Sequence, residues 1–326
     1  IVLQRNPEWD PASDPVRTAL PDRVKLRTGL SGADRDQLVI AGALDADLLP
    51  GGVQPETLAR IAAEPRLAAR ADQRPSGTVR MIALPAGVAP MDNVHCRRAV
   101  ALALDRTTLV ARLGGPEVLI ESVSLWPRGL PGYAQPSDPA GPVRTAQQAE
   151  LAACGQPDGL ALTLAAPDEE RPMEVAAALA DVLGDSGVRV EVVGVDPATY
   201  YSTGIGVPAN VAAAGYQLLL TAWSADLPTP ATYFPPLIGA VTAEGNANYA
   251  EVVDPVLSAL VDSALGSADP AMSERAWRDL DAGLVGLVAY LPLVEERVVL
   301  LAGERLRNAS VHVAYGSYDL AVAGVR

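Results

Sequence analysis

Between Leu160 and Val193 the chain switches hydrophobic period twice, in the order that builds a parallel sheet. Leu160 to Ala166 alternates with the two-residue period of a strand, Met173 to Leu183 carries the apolar stripe of an amphipathic helix, and Val188 to Val193 is a second strand. Strands joined by such a helix lie parallel, with a right-handed crossover. The fold class that follows is α/β. A further apolar run, Gln217 to Ala222, is short and sharply bounded, as a buried strand is. It ends at Trp223-Ser224-Ala225-Asp226, and the prolines at 228, 230, 235 and 236 that follow predict no regular element. A Trp and a carboxylate are thus expected just past a strand's C-terminal end, where open α/β sheets place ligands. The plainer alternative makes Trp223 a core plug and Asp226 a helix or turn cap.

Composition bounds the function. A chain of 326 residues exceeds the usual single-core size and predicts two lobes. A hydrophobic content of 49% with 20% charged residues is that of a folded protein. Aromatics make up only 4%, so Ala, Val and Leu must carry the core. A formal charge of −14, with Lys25 the only lysine, argues against nucleic acid or anionic lipid as a partner. The longest apolar run, Ala282 to Val294, contains Pro292 and falls short of the ~20 residues a membrane span needs. The start, Ile1-Val2-Leu3-Gln4, reads as the middle of a strand, which suggests that a signal segment was removed or never included. Cys96 and Cys154 fit a disulfide or a pair of buried thiols equally well.

Elsewhere, strands are expected at Ile1–Asn6, Val24–Arg27 and Thr78–Leu84, and a short one near Leu48. Asp34–Ala41 and Pro55–Ala63 read as helices, and Asp92-Asn93 caps a single long helix to about Leu113, stopped by Gly114-Gly115. Residues 127–144 form a proline-rich connection. Thr145 and Gln148 form a capping box for a helix ending at Cys154-Gly155. Asp196-Pro197 starts a further helix and 204–210 is loop. Asp254-Pro255 and Asp269-Pro270 each begin a helix, and late strands follow at 298–301 and 311–315.

Several of these pieces occur together in one known family. Trp223-Ser224-Ala225-Asp226 with Pro230 and Tyr233-Phe234 resembles the ligand loop of the family 5 extracellular solute-binding proteins of ABC importers, the oligopeptide- and dipeptide-binding proteins. Asn6-Pro7 with Trp9, and Gly42-Ala43-Leu44-Asp45, are similar to two further segments of that family. Arg98-Ala99, Ala103 and Asp105-Arg106 fit its helix pattern, and Leu291-Pro292-Leu293 fits a late strand. The resemblance implies a type II periplasmic-binding-protein architecture of two lobes, one complete and one partial in this chain. Residues 1–87 would belong to the first lobe, 88–301 would form the second, and 302–326 would return to the first. It also implies a non-catalytic function, in which a small-molecule or peptide ligand is held between the lobes and presented to an ABC permease. No cofactor is implied; a monomer outside the cell or at its surface, as a membrane-anchored lipoprotein or in the periplasm, is expected. The implied ligand-binding residues are Trp223, Ser224, Ala225, Asp226, Asn248 and Tyr249, with Asn246 beside them. Asp226 would take the ligand's amino group. Thr229 departs from the family, where many members carry an acid. A sensor or surface interaction protein on the same fold is the alternative.

Two chemistries fail on their residues. Gly184-Asp185-Ser186-Gly187 copies the types around a trypsin-like nucleophile, with His95 as a nominal base. That hydrolase needs Ser, His and a buried Asp in one geometry, whereas here a glycine helix stop inside a βαβ unit explains the residues. His95 and His312 are the only histidines, and no zinc spacing exists. The carboxylates at Asp45 and Asp47, and at Asp168-Glu169-Glu170, read as solvated turns.

Overall fold

The computed structural model describes residues 1–49, 51–134, 143–312 and 316–325. The chain divides into two compact units, one of residues 77–296 and one of residues 1–76 with 297–326. Both crossings fall inside continuous strands, Ala71–Ala83 and Tyr290–Leu301. The sequence-based boundaries at 87/88 and 301/302 were therefore displaced from the division at 76/77 and 296/297. A strand that continues through a boundary leaves no break in periodicity or composition to mark it.

Residues 77–296 are organised by a six-stranded mixed sheet. Its strands are β1 (Ala71–Ala83), β2 (Leu119–Glu121), β3 (Leu160–Pro167), β4 (Val188–Val195), β5 (Leu218–Ser224) and β6 (Tyr290–Leu301), in the order β2-β6-β1-β5-β3-β4. The expected βαβ unit is present: β3 and β4 pair in parallel from Leu160↔Val188 to Pro167↔Val195, joined by the helix Glu170–Gly184. β5 lies parallel to β3 on its other side, with Leu164 opposite Leu218, and antiparallel to β1, with Val79 opposite Trp223. The chain thus leaves β3 toward β4 and returns to β5 across it, which opens a crevice at the carboxyl ends of β3 and β5. Residues 218–221 are all buried, as befits a central strand covered on both faces. Core residues on one side include Ile82, Val100, Leu109, Leu164, Leu179, Leu220 and Leu293.

Local chemistry explains where the elements differ from the sequence reading. The helix expected over 92–113 is two helices, Val94–Ala103 and Arg106–Arg112. Asp105 accepts from the Thr108 amide at 3.0 Å and caps the second, so a good N-cap inside an apolar pattern restarts the helix. No capping box forms at Thr145, which lies inside the helix Arg144–Ala153 behind Val143. After β4 comes a π-helical turn, Tyr200–Gly204, and then a helix, Pro208–Ala214, where loop was expected. Pro208 stands at the first helical position, where proline is tolerated. No strand forms near Leu48.

Residues 1–76 and 297–326 build a second, smaller core. The helices Gly32–Ile40 and Pro55–Ala63 contribute Val39 and Ile61, which pack with Leu67 and Leu301. Three two-stranded antiparallel pairs complete the unit: Val2–Gln4 with Arg23–Lys25, Leu306–Arg307 with Gly324–Val325, and Val311–His312 with Ser317–Tyr318.

Cys96 and Cys154 form a disulfide, which settles the alternative left open by the sequence. It ties the helix Val94–Ala103 to the C-cap of Arg144–Ala153 across a sequence separation of 58 residues. Closing a loop of that length removes denatured-state entropy equivalent to about 4 kcal/mol on the chain-entropy model. Replacing both cysteines by serine is expected to lower unfolding free energy by about 2–4 kcal/mol in urea titrations. Dithiothreitol should lower the stability of the parent and leave the double variant unchanged.

Candidate functional site

The carboxyl ends of β3, β4 and β5 carry the side chains of interest. β5 runs to Ser224, so Trp223 and Ser224 are the last residues of the strand and Ala225 and Asp226 begin the loop. Trp223 is half-buried and donates from Nε1 to the Tyr233 carbonyl at 2.9 Å, which fixes the ring against the returning loop. Ala225 is buried, whereas Ser224 and Asp226 are exposed. Among the described residues nothing bonds or pairs with the Asp226 carboxylate. Neither role in the plainer reading, helix cap or turn cap, is filled by this side chain.

The prolines do not keep the loop irregular. Pro230–Tyr233 and Pro235–Ile238 are short helical turns, each with proline at its start. Thr229 accepts from the Ala231 amide at 3.3 Å and caps the first. The position where many family members carry an acid is here a helix cap. Thr232 Oγ1 adds a clasp: it accepts from the Leu227 amide at 3.2 Å and donates toward the Leu227 carbonyl at 3.0 Å.

Tyr233 and Phe234 anchor this loop in the core, both fully buried. The Phe234 ring stacks on Trp277 at 5.9 Å and meets the edge of Trp126 at 5.5 Å. Beneath it Asp281 accepts from Ser124 Oγ at 2.6 Å and from the Leu125 amide at 2.8 Å. Burial raises the Asp281 carboxyl above its ordinary range, against the lowering effect of those bonds.

An aromatic row begins at Trp223, at the end of β5. Trp223 meets Tyr249 edge-on at 6.5 Å, Tyr249 lies 6.1 Å from Tyr201, and Tyr201 lies 4.9 Å from Tyr200. The Tyr200 hydroxyl sits 2.9 Å from the carbonyls of both Ala165 and Leu220, bridging β3 and β5 at the crevice. Tyr201, partly exposed, lies near Ala222, Arg80 and Glu169; burial, the largest influence, raises its phenol. Arg80 is held by Glu296 at 2.9 Å. Sequence reading singled out neither Tyr200 nor Tyr201, because a π-helical turn has no periodic signature.

The structure separates the asparagines from the exposed positions. Asn248 is 1% exposed and ties its loop together: Nδ2 donates to the carbonyls of Gly239 and Val252, and Oδ1 accepts from the Val252 amide and, at 3.5 Å, from the Tyr290 hydroxyl. Asn246 donates to the Asn248 carbonyl at 2.8 Å. Both shape the segment that delivers Tyr249. Tyr249 is itself buried, and its phenol is pushed up to about 12, chiefly by burial.

Ser186 lies in the turn before β4, at the amino end of that strand, whereas the crevice is at the carboxyl ends. The His95 ring pairs through Nδ1 with Glu150 at 2.7 Å. Among the described residues no cluster of metal-ligating side chains occurs. Nor is any helix among them long and apolar enough to cross a membrane.

Residues 1–244 match the model of the bacterial extracellular solute-binding proteins, family 5. The chain is 25% identical over 283 residues to the probable ABC transporter periplasmic-binding protein SapA of Escherichia coli strain K12, covering 84% of this chain and 48% of that protein. It superposes with a TM-score of 0.92 and 35% identity on clavulanic acid biosynthesis oligopeptide binding protein 2, over 99% of this chain and 60% of that one. A dipeptide-binding protein from Pseudoalteromonas sp. SM9913 in complex with Met-Leu superposes at 0.72 with 16% identity, over 94% of this chain and 58% of that one. The architecture is the α/β fold of type II periplasmic binding proteins. The chain spans about half the length of the curated relatives it matches.

Two outcomes follow from this geometry. Asn248→Ala leaves several buried backbone groups of the loop without partners, and urea titration should show a loss of about 2–4 kcal/mol. The raised phenols give a second. Folded Tyr249 retains its proton up to about pH 12, whereas an unfolded tyrosine ionises near 10.0. The folded state then holds more protons between these values, so stability should fall as pH rises from 10 toward 12. Tyr249→Phe should flatten that fall in denaturation curves measured across the window.

Proposed function

The chain belongs to the bacterial extracellular solute-binding proteins of family 5, and on that premise we propose that it grips a peptide or similar small solute through Asp226 for an ABC permease. The observation that carries this reading is the Asp226 carboxylate: exposed, without a partner among the described residues, and set just past the carboxyl end of β5, which runs parallel to β3. A ligand that covers the loop expels water, and a carboxylate left unpaired there is costly. The ligand must therefore bring a cation or a strong donor, which the α-amino group of a peptide supplies. The half-buried Trp223 and the exposed Tyr201 offer aromatic surface, and main-chain hydrogen bonds to a peptide would give affinity independent of its sequence.

The names of the relatives support the same reading, since they are peptide-binding or ABC-transporter binding proteins. Function without catalysis, a monomeric state, and a place in the periplasm or outside the cell, with or without a lipid anchor, belong to this proposal. The Cys96–Cys154 disulfide suits an oxidising compartment. A sensor or surface protein that has given up transport is the second reading, favoured by Thr229 serving as a cap where the family commonly has an acid.

A thermal-shift screen with pooled short peptides tests the reading. A ligand that binds the folded state raises the midpoint by an amount set by concentration over affinity. Asp226→Asn should change intrinsic stability by less than about 0.5 kcal/mol, because the side chain is exposed and unpartnered, yet remove the peptide-dependent shift. A shift that survives the substitution would show that Asp226 is not the anchor, and none with any peptide would favour the second reading.

A further inference from the structure

The strand order of the six-stranded sheet ends with β4, and among the described residues nothing pairs with its outer edge. The strand is eight residues long, VRVEVVGV, contains no proline, and pairs with β3 residue for residue along its whole length. Native edges of this length are normally blunted by proline, bulges or repelling charges, because their free N–H and C=O groups template another strand. Here the charges are one Arg and one Glu, Arg189 and Glu191.

Backbone direction decides which groups are free. The Asp168 amide, just past β3, donates to the Val195 carbonyl at 2.8 Å. In a parallel ladder each residue turns its N–H and C=O to one side, and the next residue turns them to the other. Residues 189, 191, 193 and 195 therefore bond toward β3, whereas Val188, Val190, Val192 and Gly194 turn their backbone groups outward. The side chains alternate as well. Val188 is buried, Val190 and Val192 pack against the core, and Arg189 and Glu191 stand exposed on the other face. Neither of these charges has a partner among the described residues.

We propose that β4 is the docking surface for a second copy of this chain, paired edge to edge and antiparallel about a two-fold axis at Val190. In that register Val190 faces its own symmetry mate and the two exchange both outward hydrogen bonds. Val188 meets Val192 of the second copy. Arg189 falls opposite Glu191 of the second copy, and Glu191 opposite its Arg189, in the non-hydrogen-bonded positions where side chains come closest. A two-fold axis thus turns an Arg and a Glu two residues apart into two opposite-charge pairs. Moving the axis to Val188 or Val192 loses both pairs, so charge selects the register. A contact one strand wide buries little area, which makes a reversible dimer with a dissociation constant of about 10⁻⁵–10⁻³ M. The monomer proposed above is then the dilute species. The inference stands whether or not peptides bind near Asp226, since β3 lies between this edge and β5.

Sedimentation equilibrium of the whole chain, at concentrations up to about 1 mM, tests the proposal. A monomer–dimer equilibrium is expected. Arg189→Glu and Glu191→Arg each set like charges opposite one another and should weaken it about tenfold. Both side chains are exposed, so each variant should fold as the parent does. An equimolar mixture of the two variants should regain parental association as a heterodimer, because each supplies the charges that the other lacks. The double variant, with the charges exchanged, should regain it alone. A chain that stays monomeric throughout, a dimer that the single reversals leave intact, or a mixture that fails to regain association would overturn the proposal.

Discussion

The contact on which the candidate site depends is the packing of Phe234 between Trp126 and Trp277. It is the only phenylalanine in the chain, and two of the four tryptophans close on it. Aromatic rings bury more area than any other side chain, and an offset stack with an edge contact adds to that burial. In a chain whose core otherwise relies on Ala, Val and Leu, this cluster pins a segment built of two short helical turns. From Phe234 the constraint passes back through the Tyr233 carbonyl to Trp223 Nε1, and so to the end of β5. Asp226 sits on the short span between two fixed points, which holds an exposed carboxylate in place without any bond to the carboxylate itself.

The sheet supplies the other half of that arrangement. β3 and β5 run parallel and their connections leave in opposite directions, so their carboxyl ends form a crevice by topology alone. Tyr200 fastens the two strands there through its hydroxyl. Its phenol is held well above the ordinary tyrosine range by burial, so the fastening is neutral across physiological pH. The exposed Asp226 thus follows within two residues of a strand fixed in the sheet. A binding group held this way loses little freedom when a ligand arrives.

The smaller unit follows a different logic. It has short strand pairs and few fully buried side chains, and its surface exposes Ile1, Val2, Leu3, Val16 and Leu20. Ion pairs such as Arg35–Asp47 and Arg305–Asp45 are frequent in it.

Much of the larger unit was legible because its elements repeat a period. Leu160–Pro167, Glu170–Gly184 and Val188–Val195 declare themselves by alternation and by a 3.6-residue stripe, and Asp254 and Asp269 followed by proline mark helix starts that the structure keeps. Trp223 and Asp226 could be picked out because they follow a buried strand directly. Other features depended on partners distant in sequence. Whether Cys96 meets Cys154, whether Asn248 faces solvent or ties its loop, and whether Tyr201 joins Tyr249 are matters of packing, to which periodicity is blind. Thr229 reads as a missing acid in sequence and is a helix cap in space. The sequence by itself determined the α/β class, the parallel βαβ unit and the strand-end carboxylate, since these follow from residue order and local backbone preference. Only the tertiary structure decided that, among the described residues, the Asp226 carboxylate is left without a partner while Asn248 ties its loop, because satisfaction of a polar group is a property of everything folded around it.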